Sequence, residues 1–358
     1  MTPFFDGHND LLLKMTLRGV TAEDVRDGHG KGQIDLPRAR AGGLGGGFFA
    51  LFVPTPGAPG LNMAAMRQES YDLPLPPEVD QPTAMAGVRE GITHFNRLAE
   101  LGVITPCTTA AQVEEALHGP TLAAVLHMEG AEAIGPDLAE LDELYAAGLR
   151  SIGPVWSRST IFGHGVPFRF PSTSDIGPGL TEAGKALVRD CNRRRIMIDL
   201  SHLNMKGLED VAAISDAPLV ATHSNAWVVT PSARCLTDDE LRIIAATGGV
   251  VGINYGTCFL RPDGRFISDC PVDYLLRHLD HLLSIMGEDG VAFGSDFDGA
   301  ILPNWMKDVS GLAPLRDALV AHGIGEALME KLLWRNWMRV LRETLGGVAG
   351  RRMDRVRG

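Results

Sequence analysis

Six side chains in this sequence carry the means for chemistry at a bound cation: His8, Asp10, Glu129, His202, His223 and Asp296. The first two stand in Phe4-Phe5-Asp6-Gly7-His8-Asn9-Asp10, an apolar run that reads as a short strand ending in two metal-binding groups. Residues i and i+2 of a strand point to the same side, about 7 Å apart along the chain. His8 and Asp10 can therefore reach one ion. A buried imidazole beside a buried carboxylate is costly without a positive partner, and a divalent cation supplies one. On this spacing alone, a helix-capping Asp beside a core His would look the same. The rest of the chain decides between them.

Short β-type runs recur at 4–10, 45–53, 122–130, 149–156, 196–202, 219–223, 249–255 and 291–296, nearly all followed by a helical pattern. Helices are expected over 83–101, 136–147, 205–214, 272–286, 312–321 and 326–345. Two more are opened by Thr181 as an N-cap and by Thr237 with Glu240 as a capping box. The segment 21–32 reads as a Gly/Asp-rich loop, and 54–82 and 157–179 are long loops of the kind that carry function. Strands alternating with helices argue for βαβ units, and eight mostly apolar strands argue for a closed (β/α)8 barrel of the TIM type. An open doubly wound sheet is the competitor, but no GxGxxG or GxxxxGK[ST] follows any strand. The expected organisation is one domain over 1–345 and a solvated tail over 346–358, which holds four arginines.

The six side chains all fall at the C-terminal ends of strands, which converge in a barrel at the mouth where active sites lie. Three neutral imidazoles and several carboxylates suit zinc or a similar borderline ion. They are too many for one tetrahedral site with an open position, and they suffice for two ions sharing a carboxylate. Glu129 is the natural bridge, since each of its oxygens can take one ion of a pair ~3.5–4 Å apart. A water held between two such ions would ionise near neutral pH and act as the nucleophile. Asp296 is the candidate for proton transfer to a leaving amine.

Other candidates carry less weight. His127 shares a strand face with Glu129 and reads mainly as filling of the barrel floor. His164 stands in a loop over the mouth, where it could touch substrate or be an ordinary loop residue. His29, His94, His118, His278, His281 and His322 read as surface or helix residues. Arg234, just past the sixth strand, fits either a bidentate clamp on a substrate carboxylate or a helix-start pair with Asp238 or Asp239.

Composition narrows the classes. A 358-residue chain with 45% apolar residues and 42 glycines fits an α/β enzyme. A net charge of −11 disfavours nucleic acid or an anionic membrane as partner. Five scattered cysteines without CxxC spacing point to a reducing, cytoplasmic setting. No secretory signal, lipid-anchor signal or apolar run of ~18 residues is read.

Five ordered motifs, Asp6-Gly7-His8-Asn9-Asp10, His127-Met128-Glu129-Gly130, Asp199-Leu200-Ser201-His202, Thr222-His223-Ser224-Asn225 and Gly294-Ser295-Asp296-Phe297-Asp298-Gly299, closely resemble those of the membrane (renal) dipeptidase family. These are the M19 metallopeptidases of the amidohydrolase superfamily. The resemblance runs from about residue 4 to 345. It implies a (β/α)8 barrel, two zinc ions per subunit, hydrolysis of dipeptides and a homodimer. Carried over, His8 and Asp10 would hold one zinc, His202 and His223 the other, with Glu129 bridging. Arg234 matches the arginine that binds the substrate's C-terminal carboxylate, and Asp296 the aspartate near the scissile group and free amine. Trp156 stands where better-known members carry a substrate-contacting His, and His164 or Arg158, in the loop just beyond, is the candidate to take over that role. Trp156, His164 and Tyr255 complete the expected substrate contacts. The alternatives are another amidohydrolase, acting on a lactone, cyclic amide or N-acyl amino acid, and a non-catalytic barrel that binds metal or ligand. A phosphotriesterase-like site is disfavoured because no strand-end lysine is found to bridge its metals.

Overall fold

The computed structural model describes residues 2–57 and 60–346. Eight parallel strands form its centre: β1 Phe4–Asn9, β2 Leu44–Phe52, β3 Leu122–Glu129, β4 Leu149–Gly153, β5 Met197–Ile198, β6 Val220–Ala221, β7 Val250–Ile253 and β8 Val291–Phe293. Ladders join β1 through β5 in order, and β6 through β8 in order. Single parallel bridges, Asp199 to Val220 and Asn9 to Phe297, join the two arcs at both seams. The ring is therefore the closed (β/α)8 barrel that the alternation of elements predicts, not an open sheet.

The side chains sort into layers by the period of two along each strand. Leu51, Leu126, Met128 and Ile152 face the surrounding helices and form most of the core with them. Phe5, Phe48, Val125, Met197 and Val250 fill the barrel interior around Trp337, which comes from the C-terminal helix Asn336–Leu345. The Trp337 indole N–H donates to the Phe293 carbonyl at 3.0 Å. On β3 the inward row runs Ala123, Val125, His127, Glu129, so the same face that plugs the floor ends in a carboxylate at the mouth. On β1 a register shift between Asp6 and Asn9 changes the alternation. It lets Phe5 pack on Phe48 and Trp337 while His8 lies against His127 and His223.

Several boundaries differ from expectation. Residues 21–32 are not simply a loop: Ala22–Asp27 is helical, with Thr21 and Asp24 forming a reciprocal capping box. The fourth and eighth strands stop at Gly153 and Phe293, so Trp156 and Asp296 sit on the loops just beyond them. The last helix is interrupted by a π turn over Lys331–Arg335. Helices Leu11–Arg18, Leu36–Gly42 and Ala110–Leu117 and the short strand Ile104–Pro106 were not anticipated. The two long loops pair with each other through Tyr71–Asp72 and Arg169–Phe170. With Phe168, Phe259 and Phe266 they build an apolar cap over the mouth. Thr237 and Glu240 form the expected capping box, and Thr181 accepts from the Gly184 N–H as an N-cap. Among the described residues, no helix is long and apolar enough to cross a membrane. All five cysteines are free and buried. The tail expected from 346 onward lies, except for Gly346, outside the described residues.

Candidate active site

The mouth of the barrel gathers His8, Asp10, Glu129, His202 and His223, each no more than 5% exposed. Glu129, the last residue of β3, divides its two oxygens between different partners. Oε1 lies 3.1 Å from His202 Nε2 and 3.5 Å from His223 Nε2. Oε2 lies 3.7 Å from His8 Nε2, which in turn is 3.5 Å from Asp10 Oδ2. Donor atoms of His8, Asp10 and Glu129 fall within 4.8 Å of one another, and so do those of Glu129, His202 and His223. Side chains from β1, β3 and the loops after β5 and β6 thus make two ion-sized clusters that share one carboxylate.

The donor set fits divalent cations. His202 and His223 point their Nε2 atoms at each other across 3.1 Å, while their Nδ1 atoms meet Ser157 Oγ and Thr222 Oγ1, both at 2.8 Å. Both ring nitrogens of His8 and Oδ1 of Asp10 are buried without a hydrogen-bond partner. Each such group costs roughly 1–3 kcal/mol when left unpaired, and a cation held by His8 Nε2 and Asp10 removes that cost at these two side chains. The electrostatics point the same way. Burial works against a charged His8, yet Glu129, Asp10 and Asp296 overcome it and lift its pKa to about 10. The cluster of carboxylates thus draws positive charge to this spot. Burial, reinforced by Arg234 and His8, holds His202 and His223 neutral, with pKa values well below the ordinary imidazole range. Burial also raises Glu129, with Asp10 and Asp296 adding to the rise and His8 opposing it.

Asp296 comes to the same cavity from the loop after β8. Its N–H donates to the His8 carbonyl at 3.0 Å, and its Oδ2 accepts from Asn254 Nδ2 at 2.9 Å. Burial and the neighbouring Asp10 push its carboxyl above the usual range. Asp296 and His202 both hold positive φ values, 62° and 69°, a conformation that costs a non-glycine residue ~1–3 kcal/mol and clusters at functional sites. Beneath them, Asp6 accepts from the Ser295 N–H at 2.6 Å and the Ser295 hydroxyl at 2.7 Å, tying β1 to the β8 loop. Burial, against these hydrogen bonds, still raises Asp6 to about 7.

One wall of the cavity is polar, with Asp10, Glu129, His202 and Asp296; the other is apolar, with Phe52, Met66, Trp156, Phe168, Phe259 and Phe266. The Trp156 ring lies 4.8 Å from Phe52, 5.7 Å from Phe168 and 5.8 Å from the His202 ring. Arg234 is buried behind Phe259, its guanidinium 5.5 Å from that ring. One nitrogen donates to the His223 carbonyl at 3.3 Å, and Nε has no partner. Burial lowers its pKa, against the pull of Asp296 and Glu129. The helix-start pair does not form: Asp238 and Asp239 bind Arg242 instead.

Three expected contacts lie elsewhere. Tyr255 is buried in the core between Phe293 and Phe297 and does not line the cavity; the chain turns its ring inward after β7. His164 bonds Ser159 Oγ at 3.2 Å and packs on Gly177, outside the cavity lining. Arg158 is fully committed to Glu132, Thr55 and the Val53 carbonyl, so it is not free to take over a substrate contact. His127 fills the interior below the site, bonding Ser151 Oγ at 2.9 Å, and burial lowers its pKa to about 4. His278 is on a helix but not at the surface: it is fully buried, accepting from the Ala226 N–H at 3.1 Å. Asn254, Thr222, Ser157 and Asp199 belong to the site and were not singled out from the sequence. Asp199 and Thr222 stood inside two of the recognised motifs; nothing local marked Ser157 or Asn254.

A closed parallel barrel with paired histidine–carboxylate clusters at its C-terminal rim defines a barrel of the metal-dependent hydrolase kind. Within that class the chain belongs to the membrane dipeptidase family (peptidase family M19), whose model matches residues 1–348. A crystal structure of a metallo peptidase from Rhodobacter sphaeroides, liganded with a phosphinate mimic of the dipeptide L-Ala-D-Ala, superposes with a TM-score of 0.93. It is 49% identical, over 96% of this chain and 99% of that one. A protein of the pqqA 5′ region of Klebsiella pneumoniae is 48% identical over 67% of this chain and 89% of its own length. A protein of the PQQ-III 3′ region of Acinetobacter calcoaceticus is 37% identical over 78% and 89%.

Proposed function

We propose that this protein is a binuclear metal-dependent dipeptidase that cleaves the peptide bond of a dipeptide with free amino and carboxyl ends. The observation that carries the reading is the divided Glu129 carboxylate, one oxygen toward His202 and His223 and the other toward His8. His8 and Asp10 would hold one ion, His202 and His223 the other, and Glu129 both. Three imidazoles with carboxylates favour zinc. Bound there, the ions would supply Lewis acidity and an activated water. The dipeptide mimic on the 49%-identical relative supports the substrate class and brings a D-residue at the second position into the proposal.

The chain's own groups account for the remaining requirements. Asp296, with its raised carboxyl pKa, is suited to take a proton and pass it to the leaving amine. Arg234 has guanidinium donors to spare and lies next to the cluster, where it can meet a substrate carboxylate bidentately. The aromatic wall keeps bulk water from the polar one, which strengthens charge interactions inside. The test is a dipeptide-library screen with metal content measured on the same sample. The reading expects release of amino acids that chelation abolishes and zinc restores. Zinc-loaded protein that leaves every dipeptide intact would refute it, and cleavage of lactones or cyclic amides instead would move the assignment to another amidohydrolase.

A further inference from the structure

We propose that Asp199 and Thr222 form a relay that sets the tautomer of His223, leaving its Nε2 lone pair facing Glu129. The inference rests on the reading of His223 as a metal ligand, and it follows from counting protons. Asp199 Oδ1 accepts backbone N–H groups of Ser201 at 3.0 Å and Thr222 at 2.8 Å. Asp199 Oδ2 lies 2.6 Å from Thr222 Oγ1. A carboxylate only accepts, so the single Thr222 hydroxyl proton goes to Asp199. Thr222 Oγ1 is then left as an acceptor toward His223 Nδ1, 2.8 Å away. The His223 proton must sit on Nδ1, and Nε2 is bare. All three side chains are buried, which keeps bulk water from the relay.

The relay is rigid at both ends. The His223 N–H donates to Ser201 Oγ at 3.1 Å, which fixes the backbone that carries the ring. His127 Nε2 stands 3.6 Å from Asp199 Oδ2, the same oxygen that receives the Thr222 hydroxyl. His202 differs: its Nδ1 meets the Ser157 hydroxyl, with no carboxylate to settle which atom donates. Asp199 and Thr222 are therefore positioning residues, acting on the cluster through His223. The competing arrangement has Asp199 as a direct ligand, since it lies within 4.8 Å of donor atoms of His8 and His223. The two roles make different predictions, because removing the Thr222 hydroxyl breaks the relay and leaves the Asp199 carboxylate in place.

Two measurements test it on the full chain. Nitrogen NMR of histidine-labelled, metal-free protein should show the His223 proton on Nδ1, and a proton on Nε2 overturns the relay. In Asp199→Asn the amide would present an N–H to Thr222, reverse the hydroxyl, and move the His223 proton to Nε2; an unchanged tautomer overturns the relay. Zinc titration against a competing chelator should show Thr222→Val binding one of two equivalents about 10–100-fold more weakly, with Thr222→Ser restoring it. Unchanged affinities in Thr222→Val also overturn the relay. His223→Ala separates the two readings: if it still binds both zinc equivalents at full affinity, the ligand assignment itself fails. If it loses one equivalent while Thr222→Val does not, only the relay fails.

Discussion

Replacing Arg234 by Ala tests how this site selects its substrate. Arg234 is 4% exposed, and its guanidinium spends one hydrogen bond on the His223 carbonyl and leaves Nε unpaired. A buried arginine with spare donors is poised for a carboxylate, and truncating one partner of such a buried charged pair costs about 2–5 kcal/mol. That corresponds to a loss of roughly 30- to 4,000-fold in kcat/KM for a dipeptide with a free C-terminus. The dry surroundings behind Phe259 favour the upper half of that range. The positive charge of Arg234 also stabilises the ionised forms of Glu129 and Asp296 and opposes protonation of His202 and His223. Arg234 is not among the groups placed to hold an ion, so metal content at neutral pH should survive the substitution, while the acid limb of the pH profile moves upward. The assay compares each dipeptide with its C-terminal amide. The reasoning expects a large loss on the free acid and a small one on the amide. Equal losses on both, or no loss on either, would refute the clamp.

Three further outcomes are expected. A Cβ at Gly299 would come within 2.6 Å of Asp296 Oδ1 and closer still to Asp10 Oδ2, both side-chain ends that can move. Gly299→Ala should thus depress metal occupancy and turnover at least tenfold with little change in unfolding temperature, and full occupancy would contradict the placement of these carboxylates. Trp156→Ala should open the apolar wall, raising kcat/KM for bulky relative to small side chains several-fold, and a fixed ratio would remove Trp156 from the specificity surface. Burial holds the His278 pKa to about 3. Between there and its ordinary value of ~6.5 the unfolded chain binds a proton that the native chain does not. Stability should then fall as pH drops through this window, by up to ~1.4 kcal/mol per pH unit from this residue alone. Chemical unfolding from pH 4 to 7 should give His278→Gln a flatter pH dependence than wild type, and parallel curves would show that His278 is not the source.

The sequence was most readable where one residue's type determines its environment. Eight apolar runs, five of them ending in imidazole or carboxylate, disclosed both the barrel and its candidate rim, because charge is tolerated there only at the mouth. The site's supporting groups were less visible. Thr222, Ser157 and Asn254 are ordinary polar residues whose importance depends on partners 20 or more positions away in the chain: Asp199, His202 and Asp296. Tyr255 illustrates the opposite error. A tyrosine at a strand end invites a substrate role, but the backbone after Ile253 turns its ring between two phenylalanines. The register shift in β1 was likewise hidden, since a strict period of two would not place Phe5 and His8 together in the barrel interior. The helix at Ala22–Asp27 was lost because Gly and Asp around it outweighed the Thr21 cap.

The central claim is that one carboxylate serves two ions. Anomalous diffraction from zinc-loaded crystals addresses it directly. The account predicts two zinc peaks about 3.5–4 Å apart, with Glu129 between them, His8 and Asp10 on one and His202 and His223 on the other. A single peak, or two peaks with Glu129 turned away from either, would contradict it.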